Sequence, residues 1–321
     1  MKKRNCLALL LLLSLALGGC VMSPPDSLLR SGTEGQRLIS ASTAGMGPDE
    51  TPVALYFRYG ESAYLGAEPR QVVVQRNETE GKAVVNALVS GPANMALSPL
   101  FPPGTEVLSA NSEGDILFVT FNEAFLGRYA DEPGDASQGD WKAEGPLRRQ
   151  LCLDSLAATL TEAGLCNQVQ VLVEQSAGQE VSMRLQAGFL TRGGDASLLP
   201  PLTRQESRLL TQHTTADLLL NGWLTQDWAL MADLAVNGPG AESAIDAFSS
   251  AGALVEYTLS PGTVAYDGQS ALLTADLTLR GVGEDIRVTN YPLRLLRENG
   301  LWKMDYAALL AMMNAGAAGG H

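Results

Sequence analysis

A chain of 321 residues, 45% hydrophobic and 18% charged, is long enough for about two domains with buried cores, and fibrous, collagen-like and wholly disordered proteins are excluded. Thirty-five acidic against 22 basic side chains give a net charge of −13; such a surface repels phosphate backbones, so nucleic acid is not expected as a partner. With two histidines, His213 and His321, and four cysteines, Cys6, Cys20, Cys152 and Cys166, histidine-dependent catalysis and multi-histidine metal centres fit poorly. No catalytic set, metal set or cofactor is expected.

The N-terminus addresses location. Met1–Arg4 is basic, Leu7–Leu17 is apolar apart from Ser14, and Gly18 and Gly19 precede Cys20. This is the pattern of a secretory signal peptide over 1–19, too short to span a bilayer about 30 Å thick. Leu17-Gly18-Gly19-Cys20 resembles the bacterial lipobox, in which the cysteine thiol takes a diacylglycerol and the peptide is cut just before it. The expectation is lipidation of Cys20, with membrane lipid as partner through that residue. Loss of Lys2, Lys3 and Arg4 with the leader takes the net charge from −13 to −16. Residues 20–51, rich in Ser, Gly, Thr and Pro, read as a lipidated tether.

A first domain is expected over 52–192. Val53–Phe57 and Gln71–Gln75 read as strands. A helix follows, with Asn77 as cap, Glu80 three residues on, an apolar face of Val84, Val85, Leu88 and Val89, and a stop at Gly91-Pro92. Glu106–Ala110 and Asp115–Phe121 read as a hairpin turning near Glu113-Gly114. After an acidic loop from Asp131 to Glu144, Pro146 suits the first turn of a second helix carrying Leu153, Leu156 and Leu160 and closed by Gly164. Val169–Val173 and Val181–Leu185 complete the domain as strands.

Residues 193–203 read as a linker, with Gly193-Gly194 and Pro200-Pro201 inside it. Thr203 with Glu206 forms a capping box for a second domain over 204–308. Its first half is helical, through Leu209, Leu210, Leu218 and Leu220 and then Asp227–Leu234. Its second half is β: Asp267-Gly268 and Asn299-Gly300 are hairpin signals, and Leu273, Ala275, Leu277 and Leu279 alternate with polar residues. Residues 309–321, with an Ala- and Gly-rich stretch after Met313, read as a flexible tail.

The first domain resembles the sporulation and spore germination family, the GerMN domain. The matching stretches, in order, are Leu55-Tyr56-Phe57, Leu65 with Pro69-Arg70, Ala87–Pro92, Pro102–Thr105 with Val107-Leu108, Val119-Thr120-Phe121 and Val169–Val173. Thr120 stands where the family commonly has an acidic residue. The second domain looks like a nuclear-transport-factor-like or cystatin-like cone, with Pro292–Leu295 and Gly300–Met304 as its most typical stretches. The fold class expected is therefore α+β: a GerMN-type mixed sheet with two helices, then a cone with a curved antiparallel sheet.

Candidate residues have ordinary explanations beside functional ones. A helix stop and a turn account for Gly91-Pro92 and Pro103-Gly104. Arg70 is placed for an anionic partner, although an exposed ion pair is the commoner fate. Asp131, Glu132, Asp135 and Asp140 lack the spacing of a calcium loop and read as a solvated acidic loop. His213 reads as a helix-flank residue without catalytic partners. Cys152 and Cys166 invite a disulfide in an oxidising compartment. A helix reaching Ala163 would put Cys152 about 16 Å up its axis, with about 10 Å of chain to return, which favours two buried thiols over a bridge. Trp223, Trp228 and Trp302 read as cone filling, with an open, ligand-stacking cone as the alternative.

The resemblance implies a membrane-anchored, extracytoplasmic lipoprotein acting as a non-enzymatic binding or assembly module in a cell-envelope complex, including one of sporulation or germination, with envelope proteins as partners. The alternatives are an accessory lipoprotein of a membrane sensor kinase and an envelope hydrolase using paired carboxyls.

Overall fold

The computed structural model describes residues 49–135, 139–174, 182–281 and 283–315. The expected leader, Cys20, most of the expected tether and residues 316–321 lie outside them. Strand β1 (Asp49–Tyr59) pairs antiparallel with β2 (Leu65–Val74), from Asp49 opposite Val74 to Arg58 opposite Leu65, so the last tether residues are already strand. Pro69 sits in β2, an edge strand, where a sheet tolerates proline. On the other side of β1 the short β3 (Leu97–Ser98) pairs with Arg58 and Tyr59. Further along that edge Tyr56 is bonded to a helix: its N–H donates to Thr159 Oγ1 (3.1 Å) and its carbonyl accepts from Ser155 Oγ (2.5 Å).

Helix α1 (Glu80–Val89) buries Ala83, Val84, Val85 and Leu88. Its cap is Thr79 rather than Asn77: Thr79 Oγ1 accepts from Lys82 N–H, and the hydroxyl donates to Ala110 O at 2.9 Å, tying the helix start to the next strand. That strand, β4 (Val107–Glu113), forms a hairpin with β5 (Ile116–Phe121). β5 then runs parallel to β6 (Gln168–Glu174), which pairs antiparallel with β7 (Ser182–Arg184), giving a mixed four-stranded sheet. The crossover from β5 to β6 contains α2 (Trp141–Glu162), which begins five residues before Pro146. A residue preceding proline is pushed from helical geometry by its Cβ, and Gly145, which has none, stands there. Leu153, Leu156 and Leu160 of α2 are buried as the periodicity predicts.

After the short α3 (Gly188–Thr191) the expected linker is not free. Leu199 N–H donates to Leu185 O (2.9 Å), and Leu202 exchanges both backbone bonds with Val169. Thr203 and Glu206 cap no α-helix, because Glu206–Arg208 is a 3-10 turn. Leu210 N–H is drawn to Leu65 O (2.9 Å), and Arg204 is held by Glu162 (2.7 Å) and Glu206 (2.5 Å). The helix starts later, as α4 (Gln212–Thr225), with Thr211 and Thr214 capping reciprocally.

The remaining elements are α5 (Trp228–Asp233), β8 (Ala235–Val236), α6 (Ala241–Ser249), β9 (Leu254–Leu259), β10 (Thr263–Val264), β11 (Ser270–Leu279), β12 (Ile286–Glu298), β13 (Leu301–Asp305) and α7 (Tyr306–Met313). Their sheet runs β10-β11-β12-β13-β8, with β9 also on β11. Ala271, Leu273, Ala275, Leu277 and Leu279 all point into the core, as the period-two pattern requires. Leu218 and Leu220 of α4 are buried, but Leu224 is exposed, next to the end of the helix where Gln226 takes a left-handed turn. Trp223 is sealed and donates its indole N–H to Gly252 O (2.7 Å); Trp302 is buried beneath the Arg297 guanidinium, and Trp228 is half-buried. The expected flexible tail needs correction up to Met313. Asp305 caps α7 by accepting from Ala307 and Ala308 N–H, and Leu309, Met312 and Met313 are core residues.

All these elements belong to one compact unit, Pro48–His321, and share one apolar cluster. The seam between the first three-stranded sheet and the C-terminal sheet is tight. Leu65 bridges Leu209, and a Cβ on Gly66 would lie 2.5 Å from Leu301. Gly300 takes φ +86°, and a Cβ there would lie 2.2 Å from the Ala67 carbonyl oxygen and 2.7 Å from Pro69. The Tyr59 hydroxyl donates to Asp233 across this seam, and burial first, then Asp233, pushes that phenol above its ordinary range.

Candidate functional site

Within the acidic loop Asp131, Asp135 and Asp140 are exposed, as the sequence reading expects, whereas the carboxylate of Glu132 is met by arginines rather than by water. α2 supplies Glu144, Arg148 and Arg149; the loop supplies Tyr129, Asp131 and Glu132; Arg58 comes from β1, and Arg192 follows α3 in a left-handed conformation (φ 52°). Arg58 forks onto both oxygens of Glu144, Nη2 to Oε2 at 3.0 Å, while its Nε donates to Ser62 O at 2.8 Å. Arg148 donates to Asp131 Oδ1 at 2.7 Å and lies over the rings of Tyr129 (4.8 Å) and Trp141 (5.6 Å).

Glu132 is the centre. Its side chain is 0% exposed and meets Arg149 Nη2 (3.0 Å), Arg192 Nε (2.8 Å) and Nη2 (3.0 Å), and the Tyr129 N–H (3.1 Å). Burial by itself would raise this carboxyl; the Arg192 hydrogen bond, the Tyr129 N–H and the two arginine charges outweigh it and hold Glu132 below its ordinary value. Burial lowers Arg149, and the neighbouring Arg192 charge adds to that. Two guanidiniums therefore share one carboxylate, leaving one positive charge in excess. Arg149 also donates to Leu190 O (3.3 Å) and Arg192 to Gly127 O (2.6 Å).

Two buried polar atoms of this cluster, Tyr129 Oη and Arg148 Nε, have no hydrogen-bond partner. Burial pushes the Tyr129 phenol well up, so it stays a neutral donor. Beside the cluster is a cavity of about 520 Å³ lined in part by Arg128, Asp135, Trp141, Lys142, Arg149 and Arg192. The arrangement offers cations to an anion and no nucleophile: the Cys152 thiol is sealed in α2 and raised by burial, and Cys166 is half-buried and also raised by burial. Both thiols are free.

The other sequence candidates lie apart from this chemistry. Arg70 is bound within the chain, pairing with Glu68 and donating to Ala87 O and Gly91 O. Glu68 in turn accepts the N–H groups of Ala93 and Asn94, so the Gly91-Pro92 stretch is a structural corner, with Gly91 at φ +88°. Gly104 takes a left-handed turn after Pro103 (φ +79°). His213 is exposed on the first turn of α4. Asp140 is the residue before α2 and makes no side-chain cap bond. Thr120 is half-buried on β5. Among the described residues no three His, Cys, Asp or Glu side chains are placed to hold a metal ion, and no helix is long and apolar enough to cross a membrane.

Comparison with known proteins assigns the first part of the chain. Residues 54–179 match the Germane family model, described as sporulation and spore germination. Three solved structures are similar. The tandem GerMN domains of the sporulation protein GerM from Bacillus subtilis are 16% identical, with 52% of this chain and 50% of that one covered and a TM-score of 0.31. The first GerMN domain of that protein alone is 16% identical, with 48% and 98% covered and a TM-score of 0.32. A Clostridium perfringens protein described as a lipoprotein is 19% identical, with 55% and 95% covered and a TM-score of 0.29. Likeness at this level carries no function across, and the chain spans half the length of the tandem. No curated protein matches the chain.

Proposed function

We propose that this chain is a membrane-anchored, extracytoplasmic lipoprotein whose GerMN domain serves as a non-enzymatic binding and assembly module in a cell-envelope complex, one that acts in sporulation or spore germination. The observation that carries the reading is the match of residues 54–179 to a family described by those processes. Supporting it are the basic, apolar and small-residue order that ends at Cys20 and a site made of arginines and carboxylates rather than a nucleophile with its base. The hydrolase alternative requires two converging carboxyls, one of them raised. Asp154 is raised by burial, but it sits in the buried face of α2 with Gln150 as its hydrogen-bond partner (2.8 Å), remote in role from a cleft acid.

Mass spectrometry of the mature N-terminus should find an acylated Cys20, and Cys20→Ser should release the protein from membranes. A variant that stays bound would refute the anchor. Cross-linking in intact cells should then capture envelope proteins, and purified protein should release no fragments from peptidoglycan. Released fragments would replace the assembly reading with the hydrolase, and capture of a sensor kinase would make the chain its accessory.

A further inference from the structure

A second cavity, of about 300 Å³, opens on the other structural neighbours of the Arg149–Arg192 pair. Leu126, Val173, Met183 and Phe189 give it an apolar wall, and Arg149, Arg184 and Arg192 give it three cations. In a chain with 35 acidic residues, no carboxylate is among the described residues lining it. Within this wall Phe189 is anchored by stacking on Phe125 (5.1 Å), which stacks on Phe121 (4.6 Å). The charge is also fixed in place, because the Arg149 side chain is 4% exposed and Glu132, its counter-ion, is shared with Arg192. Arg192 Nη1 makes no hydrogen bond among the described residues, since Glu132 and Gly127 engage Nε and Nη2.

We propose that this cavity binds a carboxylate carried on an apolar chain, either the C-terminus of a peptide or a fatty acid, with Arg192 and Arg149 facing the carboxylate and the Leu126, Val173, Met183 and Phe189 wall taking the chain. The Arg149–Glu132–Arg192 group carries one excess positive charge and Arg184, bonded to the Leu199 carbonyl, adds a second, so the cavity favours an anion, and the apolar wall is what selects among anions. The apolar wall then rewards a hydrocarbon substituent and offers nothing to a bare inorganic anion. Concave apolar sites with a few converging polar groups are the usual form of small-ligand sites, and 300 Å³ is at the small end of their range. The proposal stands independently of the envelope reading, because it concerns what the pocket recognises and not where the protein is anchored.

The test is ligand-observed saturation-transfer NMR on the full chain with hexanoate, acetyl-Ala-Leu, hexanamide and inorganic phosphate. Hexanoate and the peptide should bind and the other two should not. Whichever of the two binds at least about tenfold more tightly identifies the natural source, a step of about 1.4 kcal/mol. Arg192→Gln should weaken hexanoate by about tenfold or more. Because Arg192→Gln also removes a partner of Glu132 and can unfold the site, Met183→Trp provides the second variant. Met183 is 41% exposed on the edge strand β7, so the larger ring can fill the cavity without entering the core, and it should abolish hexanoate binding while the melting temperature holds. Equal binding of hexanamide, binding of phosphate alone, no binding of either carboxylate, or an unchanged affinity in Met183→Trp would each overturn the proposal.

Discussion

The seam at Leu65, Gly66 and Gly300 and the cluster around Glu132 are both assembled from residues distant in sequence, yet they answer opposite demands. The seam is made of a backbone bridge between Leu65 and Leu209 and of glycines with no room for a Cβ. The cluster holds a fully buried carboxylate between two guanidiniums. Buried ion pairs recover little of their desolvation cost, and apolar replacements of similar volume are often neutral or stabilising. On the proposal made above, the seam serves stability and the cluster serves recognition.

The largest effect should come from closing the seam's narrowest point. Gly300→Val combines a positive φ with a clash on the Ala67 carbonyl, and should cost about 4 kcal/mol in urea unfolding; a loss under about 1 kcal/mol would mean that the seam yields. Next is Glu132→Gln, which strands two cations and should cost about 3 kcal/mol. The same carboxyl gives a pH signature. Its folded value is held below the ordinary 4.5, so its stabilisation is present above pH 4.5 and lost as pH falls through the lower, folded value. Acid unfolding of Glu132→Gln should lack that part of the slope.

Smaller effects sharpen the contrast. Asp154, 5% exposed and raised by burial, has the opposite sign: its charged form is disfavoured in the fold, so Asp154→Asn should stabilise by about 1 kcal/mol at pH 7, fading as pH falls below the folded value. Asp131, whose side chain is 62% exposed although paired to Arg148, should change stability by under about 0.5 kcal/mol as Asp131→Asn, despite sitting beside Glu132 in sequence.

Local rules carried much of the fold. Periodicity placed Leu153, Leu156 and Leu160 inside α2 and the alternating face of β11 inside the C-terminal sheet, and Asn299-Gly300 turned where both residues take positive φ. What failed locally was decided by distant partners. Thr79 displaced Asn77 as cap because its hydroxyl also reaches Ala110 O, and the Thr203–Glu206 box lost to Leu210 pairing with Leu65. The tail was misread because Ala-rich composition hides the Asp305 cap and the core contacts of Leu309, Met312 and Met313.

The cluster was half legible. Asp131-Glu132 and Arg148-Arg149 are charge doublets separated by one loop, and Glu144–Arg148 has helical i,i+4 spacing (3.9 Å between the nearest charged atoms). The solvated-loop reading holds for Asp131, Asp135 and Asp140, which are exposed, and fails at Glu132, whose arginine partners come from outside the loop. Arg58 and Arg192 come from other elements, so nothing near the loop announces them.

The claim that the cluster is kept for recognition and not for stability is tested most directly by equilibrium urea unfolding of the triple variant Glu132→Leu, Arg149→Met, Arg192→Met. Removing the whole ionic group at once leaves no stranded charge, so its stability should stay within about 1 kcal/mol of the parent or rise above it. A loss of about 3 kcal/mol or more would show that the ion group holds the fold together, and would contradict the account.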